Sequence, residues 1–555
     1  MTEGLVPGLD VAAGADSRTP VRDRMVASAP DGARRAHGTV FVRPVVFLGG
    51  VTSVGVELST SRLIAPYFGS STFIWANLIG LTLTFLALGY WLGGRLADRS
   101  PRPEILYTVT MAAACSVGLI PVMSRPVLSA ALRAFDTVDI GAFYGALVGV
   151  LLLLAVPVTL LGFVTPYAIR LQLDRVAAAG QTAGSLYALS TLGSIVGSFL
   201  PVLVLIPLVG TAKTFLLLAL TLLGPSALAL LWTRSSRRAI ISLMLAAGVV
   251  TVNLAGASSR IKPAYRGQLV YETESDSNYI QVLNDDGRFL LALNEGHAIH
   301  SIYDPDELLT QGPWDYFMVA PLFLDHIDQA PVQRALLIGL AGGTAVRQLT
   351  AAYGPIPIDG VEIDPEIARV GRRYFGLDAP GLQNVHVIIQ DGRYVLRTTD
   401  RRYDLVGVDA YRQPYIPFQL TTKEFFDEVS DHLRPGGTAV VNVGRTDTDF
   451  RLVDAIASTM ASVYTNVFII DVERYSNSMV IGTNAPASVS AFSANTNRLP
   501  PQNILRTVGE RAIATGSIRQ VHPGGRVFTD DWAPVESVVD QIILDEARRE
   551  SHDGP

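Results

Sequence analysis

Seven apolar stretches, each long enough to cross a lipid bilayer, occupy most of the first half of this 555-residue chain. About 20 consecutive apolar residues cross the hydrocarbon core as one helix, and the backbone polar groups there must be satisfied internally. The pattern therefore predicts a multi-pass α-helical membrane domain over residues 39–257, with the lipid bilayer as its partner. The stretches are 44–67, 72–94, 104–125, 139–165, 183–207, 212–232 and 239–257.

Basic residues precede the first stretch and recur in alternate loops between the later ones. Because cytosolic loops carry an excess of Lys and Arg, this pattern favours a cytosolic N-terminus. Residues 1–38 mix Ala, Gly, Asp and Arg without periodicity and are predicted to be a disordered tail. The loop residues are Arg95, Arg99, Arg102, Arg170, Arg175, Arg234, Arg237 and Arg238.

Glu57 is an ionisable residue inside the first apolar stretch. Such residues usually face the interior of a helix bundle and mark functional sites, so Glu57 is the membrane-domain candidate. The alternative is a structural pair with Arg62 or with a neighbouring helix. The loop 94–99 also resembles the short basic loop after the second helix of major-facilitator transporters. Together they keep open a transporter or sensor function for the membrane domain.

The overall composition excludes several other classes of function. The net charge is only −6, so nothing indicates a nucleic-acid partner. The single cysteine, Cys115, rules out an intrachain disulfide. His297 and His300 have no third ligand at metal-binding spacing, and we therefore expect no metal site.

The strongest motif in the second half covers residues 335–366. An apolar strand ends in the glycine turn Gly339-Leu340-Ala341-Gly342-Gly343, which is followed by a helix, a second strand and Glu362. Glycines let the backbone approach a ligand closely, and an acid about 20 residues further on can bind ribose hydroxyls. A tight turn with an ordinary surface glutamate is the alternative.

Two further motifs follow in order: Asp391-Gly392 after a third strand and Asp409 after a fourth. This series resembles the spermidine-synthase (aminopropyltransferase) branch of the AdoMet-methyltransferase fold, over about residues 265–540. The resemblance implies a Rossmann-like α/β domain, over residues 332–545, and an enzyme of polyamine biosynthesis. It implies a cofactor site formed by Gly339, Ala341, Gly342, Gly343, Glu362, Asp391 and Gly392, with Asp409 and Tyr411 as catalytic residues.

The resemblance is weaker where the substrates should bind. The family's glycine loop carries an Asp that this chain lacks, and Arg412 stands where the family's Asp-Ser-Ser-Asp motif has its second Asp. A dicationic acceptor binds best beside several carboxylates. Because this chain has fewer acids at these positions, we expect an acceptor amine other than plain putrescine. Decarboxylated AdoMet is the donor that the family implies. Intact AdoMet, and with it methyl transfer, is the alternative.

The pattern of residues 258–331 predicts a small β-domain. It contains three predicted strands, 270–273, 279–283 and 289–293, and a turn at 284–287 joins the last two. In the family such a domain covers the acceptor. The predicted substrate-binding residues are His297, Trp314, Tyr316 and Tyr415.

The side of the membrane depends on the number of crossings. Seven crossings from a cytosolic N-terminus place residues 258–555 outside, whereas AdoMet is made in the cytosol. We expect six crossings and a cytosolic domain, because stretch 239–257 is the shortest and Thr251 and Asn253 favour a membrane-surface or re-entrant segment. The alternative is an external domain that acts on a substrate met at the outer face. The expected partners are a small amine and a second copy of the chain in a homodimer. In the non-enzymatic alternative, the domain is a nucleoside-binding regulator of a polyamine transporter or sensor.

Overall fold

In the computed structural model, the first half of the chain is a helical bundle and the second half consists of two β-sheets with helices. The predicted fold class is therefore confirmed. The predicted tail, 1–38, lies outside the described residues. These are 39–552 without 69–71, 136–140, 174, 234, 257–261, 276, 295–297, 330, 412–414 and 523.

The bundle contains long apolar helices, six of which are long and apolar enough to cross a membrane among the residues described. A π-helical segment, Pro201–Leu205, continues one helix into the next. The helices are α1 (Val42–Phe68), α2 (Thr72–Arg99), α3 (Pro103–Phe135), α4 (Gly141–Gly162), α5 (Val164–Gln172), α6 (Ala179–Leu200), α7 (Ile206–Val209), α8 (Thr211–Trp232) and α9 (Ser236–Gly256).

The two ends of the bundle differ in chemistry. At one end Arg170 Nε contacts Asp98 Oδ1 at 3.2 Å, joining the end of α5 to the end of α2. At the opposite end Lys262 Nζ donates to the Pro66 carbonyl at 2.7 Å. Lys262 leads into the β-sheets, so the sheets lie at the end of the bundle away from the basic loops.

Among the described residues, the six helices that are long and apolar enough to cross a membrane agree in number with the six expected crossings, and stretch 239–257 is not one of them. The stretch forms α9, which packs lengthwise against α3 and α8. At 1.5 Å per residue, its 21 residues span about 31 Å, enough to run from the basic end to the sheet end. Asn253, whose polarity favoured a surface segment, donates to the Gly118 carbonyl of α3 at 2.8 Å. Its amide is therefore satisfied inside the bundle.

The first sheet is antiparallel, with strand order β1-β2-β3-β4. Its first three strands match the predicted ones, and the turn after β2 contains Asp286 and Gly287 at φ 53° and 89°. Such positive φ values suit a tight hairpin turn. The strands are β1 (Gln268–Glu274), β2 (Tyr279–Asp285), β3 (Arg288–Leu293) and β4 (Ile299–Tyr303).

The second sheet has eight strands in the order β12-β10-β11-β9-β8-β5-β6-β7. The strand β12 lies at one edge, beside β10. The strands are β5 (Ala335–Ile338), β6 (Ile358–Glu362), β7 (Val385–Ile389), β8 (Tyr403–Val408), β9 (Leu433–Gly444), β10 (Asn466–Val472), β11 (Asn477–Thr483) and β12 (Ile518–Gln520).

The half of the sheet from β7 to β9 is parallel, and the remaining pairs are antiparallel. The carboxyl ends of the parallel strands therefore meet at one edge, where ligands bind in such sheets. Helices cover both faces: α10 (Trp314–Phe317), α11 (Thr344–Tyr353), α12 (Pro365–Tyr374), α13 (Gly392–Thr398), α14 (Lys423–Asp431), α15 (Arg451–Ala461), α16 (Val489–Arg498), α17 (Ile504–Ala514) and α18 (Val535–His552).

Apolar side chains from both faces of this sheet form its core. On one face Phe323 stacks on Phe468 with ring centroids 4.3 Å apart. On the other face Phe425 and Phe426 of α14 are fully buried near Val441 of β9. Burial on both faces fixes the strand ends in place, and with them the residues that follow each strand.

Candidate active site

A cavity of about 640 Å³ lies at the carboxyl edge of the parallel strands. Its size is within the range of about 300–1,000 Å³ that is usual for ligand sites. Three parts of the chain form its wall: the α/β domain, the small sheet and several bundle helices. Of the predicted residues the wall includes Gly339, Ala341, Glu362, Asp391, Gly392, Asp409, Tyr411 and Tyr415.

The glycine loop after β5 takes a conformation that its glycines permit. Gly339 has φ 93°, and a Cβ there would lie 2.6 Å from the Asp409 carbonyl carbon. Gly343 has φ 95° and is the N-cap of α11. Gly342 and Gly343 lie behind the cavity wall, where Gly342 packs on Phe375. The loop thus presents Gly339 and Ala341 to the cavity and uses the other two glycines to turn into the helix.

The amides of this loop are already bonded within the protein. Gly339 and Leu340 donate to the Val361 carbonyl, both at 3.0 Å. Ala341 donates to Glu362 Oε2 at 2.9 Å, and Gly342 to Ser301 Oγ at 2.8 Å. Because these four amides already donate hydrogen bonds within the protein, they are not available to a ligand. The loop can still bring its backbone close to a ligand.

Glu362 ends β6 and is 6% exposed. One carboxylate oxygen accepts the Ala341 amide, and the other accepts the Asp364 amide at 3.1 Å. Burial raises the pKa of Glu362 to about 7, because desolvation outweighs these hydrogen bonds. A carboxylate has about four lone-pair sites, so Glu362 can still accept hydroxyl donors from a ligand.

Asp391 and Gly392 follow β7 and begin α13. Asp391 is the N-cap of this helix, and its Oδ1 accepts the Tyr394 amide at 2.9 Å. A Cβ at Gly392 would lie only 2.3 Å from Ile338 Cγ2, so the close approach of α13 to β5 requires glycine. The Asp391 carboxylate is thereby held at the cavity beside the glycine loop.

Asp409 follows β8 and lies next to the glycine loop, its amide donating to the Ile338 carbonyl at 2.8 Å. Its Oδ1 accepts from the Asn442 side-chain amide at 2.8 Å. Desolvation raises the pKa of Asp409 to about 7, and side-chain hydrogen bonds from Asn442 and Trp314 offset only part of the rise. A carboxylate with a pKa near neutrality is suited to accept a proton.

The loop after Asp409 forms part of the wall, and its residues 412–414 lie outside the described residues. Tyr411 donates its hydroxyl to the Asn442 carbonyl at 3.0 Å. Burial raises the pKa of Tyr411 well above its usual range, so its hydroxyl stays protonated. Tyr415 donates to Asp540 of α18 at 2.6 Å. The C-terminal helix thus fixes this loop, and it also places Glu536 in the wall.

Two of the predicted substrate-binding residues lie behind the wall. Trp314 is 4% exposed and supports Asp409 through its indole N–H. Tyr316 is 1% exposed and packs in the core of the sheet. His297 lies outside the described residues. The other histidine of its motif, His300, does line the cavity.

Sequence reasoning missed two groups of wall residues. Asn278 and Asn294 of the small sheet line the cavity, and Asn294 Nδ2 donates to Asn278 Oδ1 at 3.0 Å. No sequence motif marks them. The second group of wall residues comes from the bundle. The charge of Arg62 near a helix end is the only sequence signal that could have indicated this group. Its members are Leu58, Ser61, Arg62, Ile64, Ala65, Ile74, Trp75, Leu78 and Val202.

Glu57 is half-buried in α1, one residue before the wall residue Leu58, and is not itself in the wall. The alternative ion pair with Arg62 does not form: within the described part of the chain, Arg62 Nη1 instead donates to the Ser275 carbonyl at 3.4 Å. Glu57 therefore lies apart from the candidate active site.

The charged side chains of the wall are mostly acidic. Among the described wall residues, four carboxyl groups face a single guanidinium, that of Arg62. Such a balance favours cationic ligands. The carboxyls are Glu362, Asp391, Asp409 and Glu536. In the described residues no group of three His, Cys, Asp or Glu side chains is placed to hold a metal ion.

The comparisons with known proteins agree with this arrangement. The family model for the spermine/spermidine synthase domain matches residues 322–490, which contain the glycine loop, Glu362, Asp391 and Asp409. Residues 322–490 are therefore similar to a spermine/spermidine synthase domain. The domain therefore holds the predicted cofactor residues together with Asp409 and Tyr411.

Two relatives with curated names are similar to larger or comparable parts of the chain. A probable polyamine aminopropyl transferase from Bifidobacterium longum is 34% identical over 302 residues, which are 50% of this chain and 65% of the relative. A polyamine aminopropyltransferase from Vibrio vulnificus is 31% identical over 27% of this chain and 49% of its own length. The chain thus spans about half to two thirds of these relatives.

Solved structures show a more distant likeness. A probable spermidine synthase from Corynebacterium glutamicum is 22% identical, with a TM-score of 0.36, and the match covers 46% of this chain and 96% of that one.

Proposed function

We propose that the protein is a membrane-bound transferase that moves an aminopropyl group from decarboxylated AdoMet to an amine. The observation that carries this proposal is the position of Asp409 beside the glycine loop, within a spermine/spermidine synthase domain. The acidic wall adds support, since both the sulfonium donor and an amine acceptor are cationic before reaction.

In the proposed reaction the acceptor nitrogen attacks the aminopropyl carbon bound to the sulfonium sulfur. A carbon–nitrogen bond forms, the carbon–sulfur bond breaks, and its electrons remain on sulfur as a neutral thioether. The sulfonium is already a good leaving group, so the protein mainly orients the reactants. Asp409 takes the proton that the nitrogen releases, and the Asn442 amide holds its carboxylate in position.

The remaining wall residues would position the donor. Glu362 would accept the ribose hydroxyls, and Asp391 with Gly392 would lie against the adenine. Tyr411 would position the acceptor through its protonated hydroxyl. Trp314 and Tyr316 lie behind the wall, so we assign them to the support of the site.

Binding of the two donors tests the proposal. Titration calorimetry of the full-length protein in detergent should give tighter binding of decarboxylated AdoMet than of intact AdoMet. The missing acid in the glycine loop favours the reverse order, and with it methyl transfer. Tighter binding of intact AdoMet, with a methylated product, would therefore replace aminopropyl transfer by that second function. Binding of either donor without turnover would favour the regulator of a transporter.

The membrane face is a separate part of the proposal. The basic loops and the transferase domain lie at opposite ends of the bundle, since Arg170 contacts Asp98 at one end and Lys262 contacts Pro66 at the other. The positive-inside rule then favours the outer face for the domain. We therefore propose the outer face as the alternative to the expected cytosolic placement. On the outer face the domain would need a donor delivered across the membrane, so its topology directly constrains the function.

A further inference from the structure

The cavity has two chemically different ends. At the transferase end lie Glu362, Asp391 and Asp409. The other end is formed by the bundle, where wall residues from α1 and α2 are mostly apolar. An acceptor site built only for a small, water-soluble amine would require no such apolar end.

The bundle residues belong to defined helix faces. On α1, Leu58, Ser61 and Ala65 recur at spacings of three and four residues, which places them on one face. On α2, Ile74 and Leu78 are four residues apart and share a face in the same way. One face of α1 and one face of α2 therefore line the cavity next to the transferase site.

The apolar wall extends well along these helices. Leu58 lies ten residues before the end of α1 at Phe68, which is about 15 Å at 1.5 Å per residue. Leu78 lies six residues after the start of α2 at Thr72, about 9 Å along the helix. Both helices are among the six that are long and apolar enough to cross a membrane. The wall therefore includes parts of the chain suited to the bilayer.

Direct hydrogen bonds join the bundle to the small sheet around this cavity. The Thr211 amide donates to Glu274 Oε2 at 3.3 Å. Arg62 Nη1 donates to the Ser275 carbonyl at 3.4 Å, and the buried Lys262 donates to the Pro66 carbonyl at 2.7 Å. These contacts hold the apolar and acidic ends of the cavity in one fixed arrangement.

From this arrangement we infer that the acceptor is an amphiphilic primary amine. Its amino group would lie at Asp409, and its apolar chain would lie between α1, α2 and Val202. The inference rests on the proposed aminopropyl transfer and specifies the acceptor. The amine nitrogen gains the aminopropyl carbon, the carbon–sulfur bond breaks with its electrons on sulfur, and Asp409 takes the released proton.

An acceptor series with the wild-type protein tests this inference without mutation. The full-length protein in detergent is given decarboxylated AdoMet and, in turn, putrescine, butylamine, octylamine or dodecylamine. A parallel reaction uses vesicles of phosphatidylethanolamine and phosphatidylglycerol, so that a lipid amine and a free amine are distinguished. We expect kcat/KM to rise at least tenfold from butylamine to dodecylamine, or product to form on phosphatidylethanolamine.

A series of variants tests where the apolar chain of the acceptor binds in the cavity. Ala65→Trp fills the α1 side of the cavity and should raise KM for dodecylamine about tenfold more than KM for butylamine; Ala65→Leu should act in the same direction, more weakly. The control, Leu83→Trp, adds the same bulk at a position 60% exposed on the outside of α2 and should leave both values unchanged.

The outcomes separate this inference from the proposed function. Product with putrescine alone, with no gain for longer chains, overturns the amphiphilic acceptor and leaves aminopropyl transfer in place. Equal effects of Ala65→Trp on both amines also overturn it. No product with any amine or lipid, and no consumption of the donor, overturns the inference together with the proposed function.

Discussion

Asn442 of β9 donates its side-chain amide to Asp409 Oδ1 at 2.8 Å, while its own carbonyl accepts the Tyr411 hydroxyl at 3.0 Å. One residue of a neighbouring strand therefore holds both predicted catalytic side chains. Its own side-chain oxygen accepts from Asn477 Nδ2 at 2.9 Å, which fixes the orientation of the amide. The arrangement presents Asp409 as a carboxylate directed at the cavity.

Replacing Asp409 by Asn should lower kcat by about 10² to 10⁴, the usual range for loss of a general base. Donor binding should change little, because Asn keeps the size of the side chain. Steady-state kinetics and calorimetry of the same preparation measure both. Asp378→Asn is the control, since Asp378 is 69% exposed in a surface ion pair with Arg372. Full activity in Asp409→Asn would remove Asp409 from the mechanism.

The pH dependence of the reaction should report the titration of the Asp409 carboxyl group. Its pKa is raised to about 7, so the carboxyl is protonated below that pH and cannot accept a proton. Log(kcat/KM) should therefore fall as the pH drops through 7. The acceptor amine loses reactivity in the same direction, so the wild-type profile alone is insufficient.

The variant Asn442→Ala separates these two titrations. The Asn442 amide stabilises the charged carboxylate, and its loss should raise the pKa of Asp409 further. The acid limb of the profile should then move to higher pH, whereas the titration of the amine is unaffected. Asn466→Ala, on β10 away from the cavity, is the control. An unmoved acid limb in Asn442→Ala would assign it to the amine.

The contact between the glycine loop and Asp409 predicts a strong effect of Gly339→Ala. The new Cβ would meet the Asp409 carbonyl carbon at 2.6 Å, in a backbone conformation with φ 93° that alanine rarely adopts. We expect a lowered Tm and loss of donor binding. Gly80→Ala is the control, because no atom lies within 4 Å of a Cβ there. Wild-type Tm and donor affinity in Gly339→Ala would contradict the described loop.

The proposed topology places the N-terminus and the α/β domain on opposite faces of the membrane. The measurement uses two fusions of a reporter that is active only outside the cytosol, one at Met1 and one after Pro555. We expect activity from the C-terminal fusion alone, since the basic end should be cytosolic. Equal signals from both fusions would contradict the passage of α9 through the bundle.

The α/β site could largely be located from the sequence because each motif follows a strand. Apolar strands and glycine turns fix local structure, and the carboxyl ends of parallel strands must then meet at one edge. Glu362, Asp391 and Asp409 came together for this reason.

The bundle side of the cavity could not be predicted in the same way. Leu58, Ala65 and Leu78 are ordinary apolar residues in stretches of similar residues, and only the packing of the domain on the bundle gives them a place in the wall. The position of α9 likewise depends on a tertiary hydrogen bond from Asn253 to the Gly118 carbonyl. Local sequence carries no information about either contact.

Donor choice during turnover tests the central claim most directly. The full-length protein is incubated with an amine acceptor and with either decarboxylated or intact AdoMet, and the products are identified by mass spectrometry. With the decarboxylated donor we predict an acceptor carrying one added aminopropyl group, in equal amount to methylthioadenosine. Product formed only from intact AdoMet, with a methyl group on the acceptor, would contradict aminopropyl transfer.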